Sequence, residues 1–189
     1  MIEPEAIAAV LLAAGRSQRF GARDKLVEPL GGVPVVLHAA QCIAELGAGV
    51  RFVVCAEESP LADELARLGF TMKVNAEPDL GLSHSLALGI EAAAATGAKA
   101  ALVLLGDMPF VRVDHLRALL AGFDADRAPI VASARDGIAM PPAIFARTLF
   151  GTLRDSTGDR GGRALLRSAR LVAAPAAELA DIDRPADLR

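Results

Sequence analysis

Ala100-Ala101-Leu102-Val103-Leu104-Leu105 runs without interruption into Gly106-Asp107-Met108-Pro109. An unbroken apolar run of this length, closed by a glycine and an acid, predicts a strand buried on both faces. The carboxylate of Asp107 then emerges at the strand's C-terminal end, which in an open α/β sheet faces the ligand crevice rather than the core.

Working outward, short apolar runs alternate with helical patterns along most of the chain. Ile7–Ala13 (IAAVLLA) predicts a first buried strand closed by Gly15, and residues 51–55, 71–74 and 130–134 predict three more. Between them, residues 34–46 predict a helix stopped by Gly47, and Leu61, Leu65 and Leu68 share one helix face ended by Gly69. Residues 83–95 suit a helix with Ser83 as N-cap, and Val113, Leu116, Leu119 and Leu120 mark another. The last third is less regular. It carries Pro141-Pro142, a polar loop over 155–162, a helix near 163–168 and a strand near 171–174. Strands separated by helices imply βαβ units, so the expected fold is α/β: a mostly parallel, Rossmann-like sheet flanked by helices on both faces. Residues 1–189 read as one domain, with a subregion around 135–170 as an excursion within it.

Composition narrows the function classes. Charged residues make up 23% of 189 residues and hydrophobic ones 53%, ordinary for a globular enzyme domain. A formal net charge of −3 and the absence of Trp and Tyr give no basis for a nucleic-acid partner. Cys42 and Cys55 fall in helical and strand patterns, where buried thiols are common. The apolar run after Glu3 and Glu5 is too short for a signal peptide, and no segment approaches the roughly 18 apolar residues of a membrane span. A cytoplasmic protein with no membrane partner is expected.

Chemistry concentrates in the loops after the strands. Gly15 begins a loop carrying Arg16, Arg19, Arg23 and Lys25, a set of cations beside a tight bend. The loop is neither a P-loop nor a dinucleotide fingerprint. On charge alone it is a phosphate cradle or a solvated basic turn. Asp107 is a ligand for a hard cation such as Mg²⁺, which favours one or two carboxylates, or it caps a helix beginning near Val111. His38, His84 and His115 show no ligand spacing, and no Ser-His-Asp or Cys-His constellation is present.

Five stretches carry a family resemblance, two of them Gly81-Leu82-Ser83-His84-Ser85-Leu86 and Thr157-Gly158-Asp159-Arg160-Gly161-Gly162-Arg163. Leu12-Ala13-Ala14-Gly15-Arg16-Ser17-Gln18-Arg19-Phe20-Gly21 leading to Lys25 resembles the opening motif of the molybdenum cofactor cytidylyltransferases and their guanylyltransferase relatives. These belong to the nucleotidyltransferase superfamily of the nucleotide-diphospho-sugar transferase type. Leu105-Gly106-Asp107-Met108-Pro109 is similar to the family's metal-binding motif, and Asp181-Ile182-Asp183-Arg184-Pro185-Ala186-Asp187-Leu188 to its C-terminal one. Two positions depart from the pattern: Arg184 stands where Thr is usual, and Met140-Pro141-Pro142 where relatives carry Gly-His-Pro or Gly-Val-Pro.

The resemblance implies that Ala13, Ala14, Gly15, Arg19 and Lys25 bind the nucleotide, Arg19 and Lys25 against the triphosphate. It implies that Ser83 and Ser85 in the Gly81–Gly89 segment approach base or ribose, with Asn75 nearby. Asp107 and Asp183 would hold Mg²⁺, and Asp159 and Arg163 would border the acceptor. Lys25, Asp107 and Arg19 form the implied catalytic set. The Ala13-Ala14 pair resembles the cytidylyl branch, which implies CTP and a molybdopterin-type acceptor, with a recipient molybdoenzyme or its chaperone downstream. The alternatives are a guanylyltransferase, a cytidylyltransferase for another phosphorylated small molecule, or a non-catalytic nucleotide-binding chaperone or regulator.

Overall fold

The computed structural model describes residues 2–15, 20, 24–56, 59–155 and 161–188, with positions 161 and 163 described as backbone only. Seven strands form one sheet. They are β1 (Ile7–Ala13), β4 (Val50–Cys55), β5 (Phe70–Val74), β6 (Ala100–Leu105), β7 (Ile130–Arg135), β8 (Ile138–Ala146) and β9 (Arg170–Ala173), in the spatial order β5-β4-β1-β6-β8-β7-β9. A two-stranded ribbon, β2 (Pro29–Leu30) with β3 (Val33–Pro34), sits apart from it. β1 pairs in parallel with β4 on one side and β6 on the other. This central position explains why β1 and β6 read as continuous apolar runs.

Strand alternation sends successive residues to opposite faces, and each face has its own core. Ile7, Ala9, Leu11, Ala100, Leu102 and Leu104 join a core that includes residues of α1 (Val35–Leu46), α2 (Ala62–Arg67) and α4 (Val113–Gly122). Ala8, Val10, Leu12, Ala101 and Val103 join the opposite core, with α3 (Leu82–Ala94), α5 (Phe150–Arg154) and α6 (Gly161–Leu166). The expected mostly parallel sheet, covered on both faces, is what the chain forms.

Two local expectations are corrected. Ser83 does not cap α3. The N-cap is Gly81 at φ 86°, no side-chain cap bond forms there, and Ser83 lies inside the helix, buried. The stretch around Pro141-Pro142 is not irregular coil but part of β8, the longest strand, antiparallel to both β6 and β7. Prolines donate nothing to a ladder and normally mark an edge or a bulge. Here the β7–β8 register passes from Ala132↔Ala143 to Ser133↔Met140, so Pro141 and Pro142 have no Cα partners on β7.

That bulge leaves the Pro142 carbonyl in need of a donor, and Ser133 Oγ supplies it at 2.8 Å. Ser133 in turn lies 2.7 Å from Nε2 of His115 on α4. Since the hydroxyl proton is directed at Pro142, the imidazole Nε2–H donates to Ser133 Oγ. Burial pushes the His115 pKa below its usual 6.5, against a smaller opposing pull from Glu178. Cys42 and Cys55 are also buried, which raises their thiols to about 12 and about 11 respectively and removes them as nucleophiles near neutral pH.

α3 lies close against the sheet at Gly89, where an added Cβ would overlap Val10 Cγ1 and press Val54 Cγ2 at 3.3 Å. Gly89→Ala is therefore expected to destabilise the fold by about 1–3 kcal/mol through overpacking, read as a lower urea midpoint. The His115 group yields a second expectation. With its folded pKa depressed, its contribution to stability is complete above pH 6.5 and is lost as pH falls toward the folded value. Urea midpoints between pH 6.5 and about 5 should fall more steeply for the wild-type chain than for His115→Gln.

Candidate active site

The site is assembled where the C-terminal ends of β1 and β6 meet the C-terminal tail. Asp107 follows β6 directly. Gly106 packs closely against β1 and α1: a Cβ there would stand 3.2 Å from both the Leu12 carbonyl and Val36 Cγ2. Lys25 is presented by a turn in which Asp24 Oδ1 accepts the Leu26 amide at 3.0 Å while Leu26 is buried in the core. The tail contributes Asp181-Ile182-Asp183. Ile182 is fully buried, and its amide donates to the Asp107 carbonyl at 2.8 Å, which fastens the tail beside the end of β6.

These three segments converge on one ammonium. Lys25 Nζ donates to Asp107 Oδ2 at 2.6 Å and to the Ile182 carbonyl at 2.8 Å, and stands 3.5 Å from Asp183 Oδ1. Lys25 is buried, while the Asp183 side chain is 44% exposed and the Asp107 side chain 19%. One carboxylate oxygen from each of Asp107, Asp181 and Asp183 lies within 4.8 Å of the other two. Asp107 Oδ1 is closed off from solvent and has no hydrogen-bond partner among the described residues. Three acids within reach of one another, one of which has a buried oxygen without a partner among the described residues, form a donor set suited to a hard divalent cation, whose ligands are carboxylate oxygens and water.

Asp187 fixes the tail. Its Oδ2 accepts the backbone amides of Asp183 at 3.0 Å and Arg184 at 2.8 Å. Those two bonds, Asp183's first, hold its pKa below the usual aspartate value. Pro185 begins the 3₁₀ turn Pro185–Leu188, so Asp187 reaches back to the amides before a helical start, as the acid of a capping box does.

Two cavities flank the strand ends. One, of about 260 Å³, is bordered by Ala13, Gly15, Asp24, Cys55 and Ser59. The other, of about 360 Å³ and mostly apolar, is bordered by Leu12, Leu82, Ser83, Leu86, Pro141 and Gly162. Ala14 is buried at the end of β1. Asn75 and Ser85 are buried and bonded to each other, Nδ2 to Oγ at 2.9 Å. Asn75 also accepts the Glu77 amide through Oδ1 and donates its own amide to Cys55. It therefore braces the loop before α3 from beneath.

Lys25, Asp107 and Asp183, distant in sequence, are thus brought together; Ser83 reaches a cavity wall, and Asn75 and Ser85 are buried and bonded to each other outside the linings of both cavities. Arg19 and Asp159 lie outside the described residues, and for Arg163 only the backbone, within α6, is described. Sequence reasoning missed Asp181 and Asp187. The alternation Asp-Ile-Asp was a usable signal for the first, because it turns Ile182 inward and both acids the other way. Acid three positions after Arg184, with Pro185 between, was a usable signal for the second.

A mostly parallel α/β sheet with acids and a lysine clustered at its strand ends places charged groups where ligands of open α/β sheets bind. Residues 9–174 match the MobA-like NTP transferase domain. The chain is 32% identical to purine catabolism protein PucB of Bacillus subtilis (strain 168), over 93% of this chain and 91% of PucB. It is also 32% identical to the molybdenum cofactor guanylyltransferase of Burkholderia vietnamiensis (strain G4 / LMG 22486), over 89% of this chain and 80% of that protein. Among solved structures, a nucleotidyl transferase from Methanothermobacter thermautotroptrophicus (Mth528) superposes with a TM-score of 0.79 at 26% identity, over 96% of this chain and 94% of the other. The chain belongs to the MobA-like NTP transferase family, a family of nucleotidyltransferases.

Asp187→Ala frees the amides of Asp183 and Arg184 and leaves the core untouched. Their hydrogen exchange is expected to accelerate by about tenfold, the equivalent of one lost charge-assisted bond, while the amides of Val103 and Leu104 exchange as before. NMR-detected exchange reads both sets at once.

Proposed function

We propose that this chain transfers a nucleoside monophosphate, CMP from CTP, to the phosphate of a molybdopterin-type acceptor and releases pyrophosphate. The observation that carries the reading is the convergence of Lys25, Asp107 and Asp183 at the strand ends. The cytidylyl choice is supported by Ala13-Ala14 and the acceptor class by the molybdenum cofactor guanylyltransferase among the relatives. The same relative favours GTP as a second reading.

Asp107 and Asp183 would hold Mg²⁺, with Asp181 within reach of the same ion; the solvent-closed oxygen of Asp107 supports this fit. Bound there, the ion supplies positive charge against the phosphate oxygens. The acceptor's phosphate oxygen attacks the α-phosphorus in line, the bond to the bridging oxygen breaks, and pyrophosphate leaves. An ionised phosphate is already a nucleophile, so no general base is required, which suits a site without a catalytic histidine. Lys25, together with Arg19, offsets charge on the triphosphate, and Ala13, Ala14 and Gly15 form its cradle. Ser83 is a polar group in an otherwise apolar wall, the composition that grips a heterocycle by its faces and orients it with few hydrogen bonds. Asn75 and Ser85 tie the loop before α3 to that helix. Asp159 and Arg163 belong to the acceptor side, Arg163 through its phosphate-matching fork. A recipient molybdoenzyme or its chaperone then receives the product.

Pyrophosphate release, followed with each NTP in turn in the presence of molybdopterin cofactor and with or without Mg²⁺, tests the reading. Turnover with CTP that stops on chelation is expected, and Asp107→Ala should lose activity by at least about 10²-fold while melting cooperatively. Turnover with GTP alone shifts the base assignment to guanine. Binding of nucleotide without turnover, with any NTP, converts the protein to a binder and refutes the transferase reading.

A further inference from the structure

The buried Ser133–His115 chain has no part in the chemistry above, and stability alone does not explain it. Ser133 is fully buried and His115 nearly so. Burying a hydroxyl and an imidazole is costly unless both are bonded, and an apolar pair of similar shape between α4 and β7 would hold the fold as well. What an apolar pair cannot do is fix one particular carbonyl.

That carbonyl belongs to Pro142. Ser133 holds the bulge of β8 at two points: its backbone pairs in register with Met140, and its hydroxyl donates to the Pro142 carbonyl at 2.8 Å. Pro141 stands between these points, without a Cα partner on β7, and the β6–β8 pairing stops short of it at Val103↔Ala143. Pro141 also borders the apolar cavity of about 360 Å³, with Ser83, Leu86 and Phe145. His115 acts from the other side of the sheet. Its helix packs Leu116, Leu119 and Leu120 into one core, whereas Leu86, Val103 and Phe145 of the cavity belong to the opposite core. The imidazole donates to Ser133 Oγ at 2.7 Å, which leaves the hydroxyl proton for Pro142. A buried polar chain with every bond made selects one geometry, and this one runs through the sheet to a cavity wall.

We propose that Ser133, oriented by His115, is a positioning residue for nucleotide recognition: it sets the Pro141 wall against which the flat ring of the base rests. The proposal rests on the assignment of that apolar wall to a heterocycle in the preceding subsection. Neither side chain touches the nucleotide, and both act through Pro141. Without the hydroxyl, the Pro142 carbonyl loses its donor and the imidazole its acceptor. The bulge then shifts and the ring loses its wall, while the triphosphate end of the site keeps its groups.

Calorimetric titration of the full chain with CTP, GTP and inorganic tripolyphosphate, all with Mg²⁺ and without acceptor, isolates the ring's contribution as the ratio of nucleotide to tripolyphosphate affinity. Ser133→Ala is expected to lower that ratio about tenfold, the scale of one buried polar group left unpaired, with tripolyphosphate affinity as in wild type. His115→Met, which removes the donor to Ser133, should lower it about threefold, the net worth of a neutral hydrogen bond. His115→Gln, which keeps an N–H donor, should restore it. Should Ser133→Ala fail to fold, the two His115 variants decide the matter, and equal ratios in both overturn the proposal. An unchanged ratio in folded Ser133→Ala, or a parallel loss of nucleotide and tripolyphosphate affinity, overturns it as well and leaves the heterocycle assignment standing. A wild-type chain that binds neither nucleotide more tightly than tripolyphosphate overturns that assignment and the proposal together.

Discussion

The contact between the Lys25 ammonium and the Asp107 carboxylate is the interaction on which the site depends. A buried charge without a partner is strongly destabilising, so a chain that buries this lysine must bring acids to it. The acids come from far away. Asp107 lies 82 residues along, and the Ile182 carbonyl that also accepts from the ammonium lies 157 residues along. Meeting that condition requires the first loop, the end of a central strand and the C-terminal tail to close on one point.

The sheet supplies the means. Because β1 is central and pairs in parallel with β4 and β6, the loops after these strands open on the same edge. The tail is held there by backbone as well as by side chains. Ile182 buries itself in one core and donates its amide to Asp107, so that Asp181 and Asp183 flank a fixed anchor. Asp187 fixes the next two amides. The rigidity of the acids thus derives from apolar burial and main-chain bonding behind them, which suits a site whose work is charge placement.

Much of this architecture was legible in the residue pattern, for reasons that differ from element to element. β1 and β6 are sealed on both faces, so their sequences are pure apolar runs with sharp ends, and their boundaries coincide with those expected. β8 was not legible, because two prolines stand where a ladder needs donors. The chain accommodates them with a register shift and a Ser133–His115 chain of hydrogen bonds, a solution made by α4 and β7 rather than by local sequence. Ser83 looked like a helix cap from its neighbours alone, yet Gly81 takes that place and Ser83 turns to a cavity wall. Asp107 and Lys25 were distinguishable as candidates by position in their loops. Their meeting was expected from the family resemblance alone, since nothing local to either residue encodes a contact across 82 positions. Asp183 came from resemblance, whereas Asp181 and Asp187 needed the tail's geometry.

The account stands on one divalent ion placed between the end of β6 and the tail, with the triphosphate against Lys25. A crystal grown with Mn²⁺ and a non-transferable CTP analogue locates the ion by its anomalous scattering. A peak about 2.1–2.2 Å from oxygens of both Asp107 and Asp183, with Lys25 Nζ turned to a phosphate oxygen, is the predicted result. A peak remote from Asp107, or a triphosphate bound away from Lys25, contradicts it.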